Sequence, residues 1–107
     1  MSAKPEDDPV LTRFRAAIFD IYGNRVQRIV LYGSRARGSA RPDSDYDIAV
    51  FIAGFGTSPD ELGRLADVET DILYETGAVI NAMPYPARAY EERTSLMREI
   101  RREGIDL

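Results

Sequence analysis

Two aspartates separated by one residue, Asp45 and Asp47, are the first candidates for chemistry in this 107-residue chain. They open a segment in which acidic and apolar residues alternate, so both carboxylates are expected on one face of a strand, with α-carbons roughly 6.6 Å apart. Two carboxylates at that spacing repel each other unless a cation lies between them. Mg²⁺ prefers such oxygen ligands, so the pair predicts a Mg²⁺ site, with Mn²⁺ as the substitute ion.

A glycine-containing turn precedes the acidic pair and contains Gly33, Ser34, Arg35 and Gly38. Gly33 has no side chain, so a phosphate group can approach its backbone closely. The N–H groups of Ser34 and Arg35 can point at that phosphate if a helical turn begins there, and the Ser34 hydroxyl adds a donor. Gly38 lets the chain double back and bring the acids beside the turn. The four residues are therefore predicted to bind nucleotide phosphates.

Arginines crowd the same turn, because Arg35, Arg37 and Arg41 come before any acid, the first of which is Asp43. They predict a local cationic spot in a chain whose formal net charge is −4. A nucleoside triphosphate such as ATP, held between turn and metal, would be attacked in line at its α-phosphate, with pyrophosphate leaving. An isolated Gly-Ser or Asp-x-Asp is more often a plain turn or a solvated strand edge. In this chain the Gly-Ser turn, the second glycine and the Asp-x-Asp pair follow one another in the order that the chemistry needs. That combination favours a functional site over a plain turn.

The run Gly-Ser-Arg-Ala-Arg-Gly at 33–38, followed by Ser-Asp-Tyr-Asp-Ile-Ala-Val at 44–50, closely resembles the signature of polymerase-β-type nucleotidyltransferases. Within that superfamily it resembles the minimal nucleotidyltransferase branch, the antitoxin half of bacterial HEPN/MNT pairs. The resemblance implies a metal-dependent transfer of AMP from ATP to a tyrosine of a HEPN toxin, in a homodimer or hetero-oligomer. By position it implies that Gly33 and Ser34 hold phosphate and that Asp45 and Asp47 are catalytic metal ligands.

One feature of the family differs in this chain. Active members usually add a third carboxylate from a later strand, and the corresponding residues 78–83 offer only Asn81. An amide oxygen is a neutral and weaker ligand, and an amide is a poor base. Two functions therefore stay open: an adenylyltransferase that modifies the toxin, or a nucleotide-binding antitoxin that neutralises the toxin by binding alone.

The helices and strands that must position these residues are predicted from hydrophobic periodicity and from the capping, glycine and proline residues at their ends. Residues 1–8 are expected to be a flexible N-terminus and 9–107 a single domain. The predicted elements are a helix at 9–22, strands at 25–32 and 45–52, a helix from a Ser58 cap to about 75, a strand at 78–83 stopped by Pro84, and a helical tail at 87–102. This order predicts an α+β fold, a small mixed sheet with helices packed on one face. The pattern leaves the docking of the tail open.

Composition narrows the chemistry further. The chain has no cysteine and no histidine, which excludes disulfides, Cys/His zinc clusters and Ser-His-Asp triads. With 44% hydrophobic and 30% charged residues it resembles an average folded, water-soluble domain. Its net negative charge disfavours non-specific nucleic-acid binding, so no direct nucleic-acid partner is expected. No apolar stretch approaches membrane-spanning length, so we expect no membrane partner and a cytoplasmic location.

Overall fold

A computed structural model describes residues 5–54 and 56–107. It contains one four-stranded sheet in the order β3-β2-β1-β4. The strands are β1 at Val26–Tyr32, β2 at Tyr46–Ile52, β3 at Ile80–Pro86 and β4 at Ile105–Asp106. β1 runs antiparallel to β2 and β4, whereas β3 runs parallel to β2. The sheet is therefore mixed, which confirms the predicted α+β class.

In the described part of the chain four helices accompany the sheet: α1 at Pro9–Tyr22, α2 at Ser34–Arg37, α3 at Pro59–Thr76 and α4 at Ser95–Glu103. Short 3₁₀ turns lie at Pro5–Asp7, Gly23–Arg25 and Ala87–Glu91. The predicted caps are confirmed. Asp8 Oδ1 accepts the Val10 N–H at 2.9 Å at the start of α1. Ser58 and Glu61 form the reciprocal capping box of α3.

The sheet is covered on both faces. Alternation along β2 sends Tyr46, Ile48, Val50 and Ile52 into a core shared with α1 and α3. The same alternation sends Ala49 and Phe51 into a second cluster with Met97 and Ile100 of α4. The expectation of helices on one face thus holds for α1 and α3, whereas α4 packs on the other. The physical reason is that β2 is apolar on both sides beyond its acidic start, so each side needs a cover.

Three local features differ from the sequence prediction. β3 continues through Pro84 and Pro86, because it is an edge strand and needs ladder hydrogen bonds on one side only. The predicted helical tail breaks after the 87–91 turn, and α4 starts afresh where Thr94 Oγ1 accepts the Met97 N–H at 3.1 Å. The two-residue β4, which no pattern in the sequence indicated, pairs with β1.

Of the segment predicted to be a flexible end, residues 1–4 lie outside the described part of the chain. Pro5–Asp7 form a 3₁₀ turn, and Asp8 bonds to both α1 and β2. Within 5–54 and 56–107, every helix is too short or too polar to cross a bilayer.

Candidate active site

The acidic pair and the glycine turn meet at one end of the sheet. Tyr32 and Asp47 are register partners in the β1–β2 ladder, so Gly33, which follows β1, lies beside Asp47. A β-carbon built on Gly33 would lie 2.5 Å from Asp47 Oδ2 and 3.3 Å from its Cγ. Gly33 is buried and has a φ of 75°, a conformation that L side chains rarely adopt. Glycine is therefore required here both by backbone conformation and by the approach of the carboxylate.

The turn after Gly33 is helical, as the phosphate-binding prediction required. The N–H groups of Ala36 and Arg37 both donate to the Gly33 carbonyl at 3.1 Å. The N–H groups of Ser34 and Arg35 precede them, so they are first-turn donors available to a ligand. Gly38 closes the turn in the left-handed conformation, with a φ of 78°, and its N–H donates to the Ser34 carbonyl.

The side chain of Arg35 is engaged within the protein. Its Nε and Nη2 donate to the Ser44 carbonyl at 3.0 and 2.8 Å, and Nη2 donates to the Pro42 carbonyl at 3.3 Å. Its guanidinium also stacks on the ring of Tyr46, 3.8 Å from the centroid. Because Tyr46 points to the α1 and α3 face, this side chain lies away from the carboxylates. These bonds hold the loop that leads into Asp45, a positioning role that sequence spacing did not reveal.

Asn81 completes the row of polar residues on the aspartate face. The β2–β3 register pairs Asp47 with Asn81, and the Asn81 Nδ2 donates to Asp45 Oδ2 at 2.9 Å. Asp45 and Asn81 are exposed, whereas Asp47 is half-buried. The structure therefore brings Gly33, Asp45, Asp47 and Asn81 together, as the sequence predicted.

The donor set of this site suits a hard divalent cation. Neither Asp45 nor Asp47 forms an ion pair within residues 5–54 and 56–107, and their oxygens are the ligands that Mg²⁺ prefers. Across that same part of the chain, no three acidic side chains lie close enough together to share one ion. The pair thus supplies two carboxylates and no third.

Tyr32 is a residue of the site that sequence reasoning missed. It lies across the ladder from Asp47 and packs against the α4-side cluster. Burial raises the pKa of Tyr32, and the nearby oxygens of Tyr85, Asp47 and Glu99 raise it further. Its phenol therefore stays protonated beside Asp47 at neutral pH and can donate a hydrogen bond. The strand register with Asp47 is the signal that could have found it.

Two of the three arginines in the predicted cationic spot, Arg35 and Arg37, have carbonyl or acidic partners within the protein. Arg37 Nη1 lies 3.4 Å from Glu103 Oε2 and 3.7 Å from Glu99 Oε1, so it ties α2 to α4. The Arg41 N–H donates to Ser44 Oγ at 2.8 Å, which further shapes the loop before Asp45. A phosphate at this turn would therefore meet mainly backbone N–H groups, because the guanidinium groups of Arg35 and Arg37 bond within the protein.

Comparisons with known proteins agree with this geometry. The family model described as Polymerase beta, Nucleotidyltransferase matches residues 17–106. A Methanocaldococcus jannaschii protein named as a protein adenylyltransferase, MJ0604, is 27% identical over 100 residues, which span 92% of this chain and 94% of that protein.

Solved structures show the same fold. A crystal structure of a toxin–antitoxin with AMP-PNP superposes with a TM-score of 0.64 at 18% identity, over 89% of this chain and 69% of that one. A toxin–antitoxin MntA–HpeT variant, with two aspartates two positions apart changed to glutamate, gives 0.63 at 16% identity and the same coverage, 89% and 69%. A structure described as a minimal nucleotidyltransferase gives 0.61 at 24% identity, over 98% of this chain and 97% of that one.

The family match spans most of the chain and includes both halves of the site, the Gly33–Ser34 turn and the Asp45–Asp47 pair. The fold likenesses cover 89% and 98% of the chain. The chain therefore belongs to the polymerase beta nucleotidyltransferase family.

Proposed function

We propose that this protein is a metal-dependent nucleotidyltransferase that moves AMP from ATP to a tyrosine of a partner HEPN toxin and so acts as an antitoxin. The observation that carries the proposal is the approach of Asp47 to Gly33, where an added β-carbon would lie 2.5 Å from the carboxylate. This contact sets Asp47, one of the acidic pair, directly against the glycine turn. The M. jannaschii relative named as a protein adenylyltransferase and the toxin–antitoxin structure with AMP-PNP support an adenine nucleotide and a protein acceptor.

The turn would hold the phosphates of the nucleotide, and the acidic pair would hold its metal ion. The N–H groups of Ser34 and Arg35 and the Ser34 hydroxyl would donate to phosphate oxygens, and Gly33 leaves room for them. Asp45 and Asp47 would hold Mg²⁺, for which Mn²⁺ can substitute. When bound, the metal polarises the α-phosphate and offsets the charge that develops during transfer.

The transfer itself is a displacement at phosphorus. The acceptor oxygen forms a bond to the α-phosphorus while the bond to the β-phosphate oxygen breaks, and pyrophosphate leaves with that oxygen. The acceptor proton passes to water or to a carboxylate, because the chain has no histidine and Asn81 is neutral. A phenol suits such a site, since its pKa of about 10 makes it far more acidic than an aliphatic alcohol.

A second candidate function is neutralisation of the toxin by binding alone. The observation that favours it is Asn81, which stands where a third carboxylate would serve as ligand and base. In that case the nucleotide site would be retained for binding, without transfer.

The two candidates make opposite predictions for one experiment. We would incubate the protein with its co-expressed HEPN partner, Mg²⁺ and ATP labelled at the α-phosphate. The enzyme should put label on the partner and add the mass of one AMP to it. Combining Asp45→Asn with Asp47→Asn should abolish both signals, whereas combining Asp67→Asn with Asp71→Asn, two exposed positions on α3, should leave them unchanged.

Toxin activity measured in parallel separates the alternatives. Neutralisation that persists in the Asp45 and Asp47 double variant, with no label transferred by the native protein, would support binding alone. Label on the partner together with loss of neutralisation in the double variant would support the enzyme.

A further inference from the structure

The side chain at the third position of the site is an amide that bonds to one of the two acids. Asn81 Nδ2 lies 2.9 Å from Asp45 Oδ2 and donates to it. We propose that Asn81 limits this site to a single divalent cation and positions Asp45 to hold it. This inference rests on the proposed function, because it assumes that Asp45 and Asp47 bind metal.

Charge balance is the first argument. Asp45 and Asp47 carry two negative charges, which one divalent cation neutralises. The triphosphate adds its own negative charge around the cation that it brings, so a second cation would depend on a further protein ligand. Asn81 contributes no charge, and its N–H occupies the Asp45 oxygen that faces β3. The amide therefore turns its donor side, and not an oxygen, towards Asp45.

No other acid on this face replaces the missing charge. Within residues 5–54 and 56–107, no three acids lie close enough to hold an ion together. Glu99 of α4 lies on the same face of the sheet, near Tyr32, where its charge helps to raise the pKa of that phenol. Its carboxylate lies 3.7 Å from Arg37, which already supplies it with a cationic partner. No acid in the described part of the chain therefore supplies the negative charge that a carboxylate in place of Asn81 would add.

The surroundings of Asn81 separate this role from core packing. Its side chain is exposed, and it lies on β3, the edge strand of the sheet. A substitution there leaves both hydrophobic clusters intact. Asn81 therefore acts through Asp45 and is a positioning residue.

The test counts Mn²⁺ ions by electron paramagnetic resonance, with α,β-methylene-ATP as a nucleotide that cannot be transferred. The native protein should bind one Mn²⁺ per nucleotide site and show an uncoupled spectrum. Asn81→Asp should bind two ions and show spin coupling, because paired ions in such sites lie about 3.5–4 Å apart. The added carboxylate should also tighten binding of the first ion about tenfold.

The chain offers a matched control. Asn24→Asp makes the same change at an exposed position before the other end of β1 and should keep one ion of native affinity. Asn81→Ala, which removes the hydrogen bond without adding charge, should keep one ion and weaken it about tenfold, as loss of a ligand's hydrogen-bond partner typically does.

A coupled pair in the native protein would overturn the inference, and so would a single uncoupled ion in a folded Asn81→Asp protein. The native measurement stands even where the variant fails to fold. Failure of the proposed function would look different. Mn²⁺ binding that survives unchanged in both Asp45→Asn and Asp47→Asn would show that these acids hold no metal.

Discussion

At the scale of single residues, Gly33 links conformation to chemistry. Gly33→Ala would place a methyl group 2.5 Å from Asp47 Oδ2 and force alanine into a φ of 75°. We expect a loss of about 2–4 kcal/mol of unfolding free energy, since the left-handed penalty and a displaced carboxylate add together. Transfer activity should fall at least about a hundredfold, because a displacement of about 1 Å in a site of this kind has that effect. Urea unfolding and the label-transfer assay measure the two effects.

Gly77→Ala is the control for the conformational part of that loss. Gly77 has a nearly equal φ of 77°, and an added β-carbon there meets nothing within 4 Å. It should cost about 1 kcal/mol and leave transfer unchanged. Equal effects of the two variants on transfer would show that the approach of Asp47 to Gly33 does not matter.

The residues predicted from sequence are those whose chemistry depends on local spacing. Asp45 and Asp47 share a face because a strand alternates, and Gly33 precedes a turn because glycine permits it. Tyr32 and the side chain of Arg35 owe their roles to strand register and to carbonyls nine residues away. Neither relation is written in a local pattern, so sequence reasoning missed both.

At the scale of elements, Asp8 joins α1 to β2. One oxygen caps the helix, and the other accepts the Tyr46 hydroxyl at 2.7 Å. Burial raises the pKa of Tyr46 to about 12, with the hydrogen bond and the charge of Asp8 adding to the effect and Arg35 opposing it. Because an unfolded tyrosine ionises near 10, this stabilisation is complete below about pH 10 and is lost as the pH rises toward 12.

That shift predicts an alkaline destabilisation to which Tyr46 contributes, beside Tyr32 and Tyr85, whose pKa values are also raised. Between pH 10 and 12 the native protein should lose about 2 kcal/mol of unfolding free energy through this residue. Tyr46→Phe should remove that part of the loss, while Tyr74→Phe, whose ring is 84% exposed, serves as the control. Urea unfolding at a series of pH values from 8 to 11.5 gives the slope of unfolding free energy against pH for each protein. A native slope retained by Tyr46→Phe would contradict the assignment.

The docking of α4 is a second prediction at this scale. Ile100 is 1% exposed in the second cluster, whereas Leu96 of the same helix is 36% exposed. Ile100→Ala should destabilise the protein by about 2–4 kcal/mol, because it leaves a cavity against the sheet. Leu96→Ala should cost about 0.5 kcal/mol. Similar losses for both variants would mean that α4 does not pack on this face as described.

Elements with strong end signals were predicted best. Asp8 with Pro9, and Ser58 with Glu61, fixed the starts of α1 and α3 to the residue. The continuation of β3 through its prolines depends on its being an edge strand. The packing of α4 on the sheet depends on β2 being buried on both faces. Those are properties of the assembled sheet, which no single segment contains.

At the scale of the whole molecule, the repulsion between the two aspartates should lower the free energy of unfolding of a small protein. The two clusters of core residues are the main apolar contribution to stability in a chain of 107 residues. The turn and the acids lie at one end of the sheet that divides these clusters, so α1 and α3 support the site from one face and α4 from the other. Folding fixes Asp45 and Asp47 on one side of the sheet beside Asn81, where their like charges repel whenever no cation is bound.

This arrangement predicts that removing the two charges raises stability and abolishes metal binding. In EDTA, the protein with both Asp45→Asn and Asp47→Asn should unfold about 2–4 °C above the native protein, because the amides keep the size of the side chains and remove the repulsion. Adding Mg²⁺ and α,β-methylene-ATP should raise the native midpoint and leave that of the variant unchanged, since only the native protein binds the added ligands. The order of the two midpoints should therefore reverse in one calorimetric series. A variant that unfolds below the native protein in EDTA would show that the two carboxylates stabilise the fold themselves, in which case their proximity would need no cation to explain it.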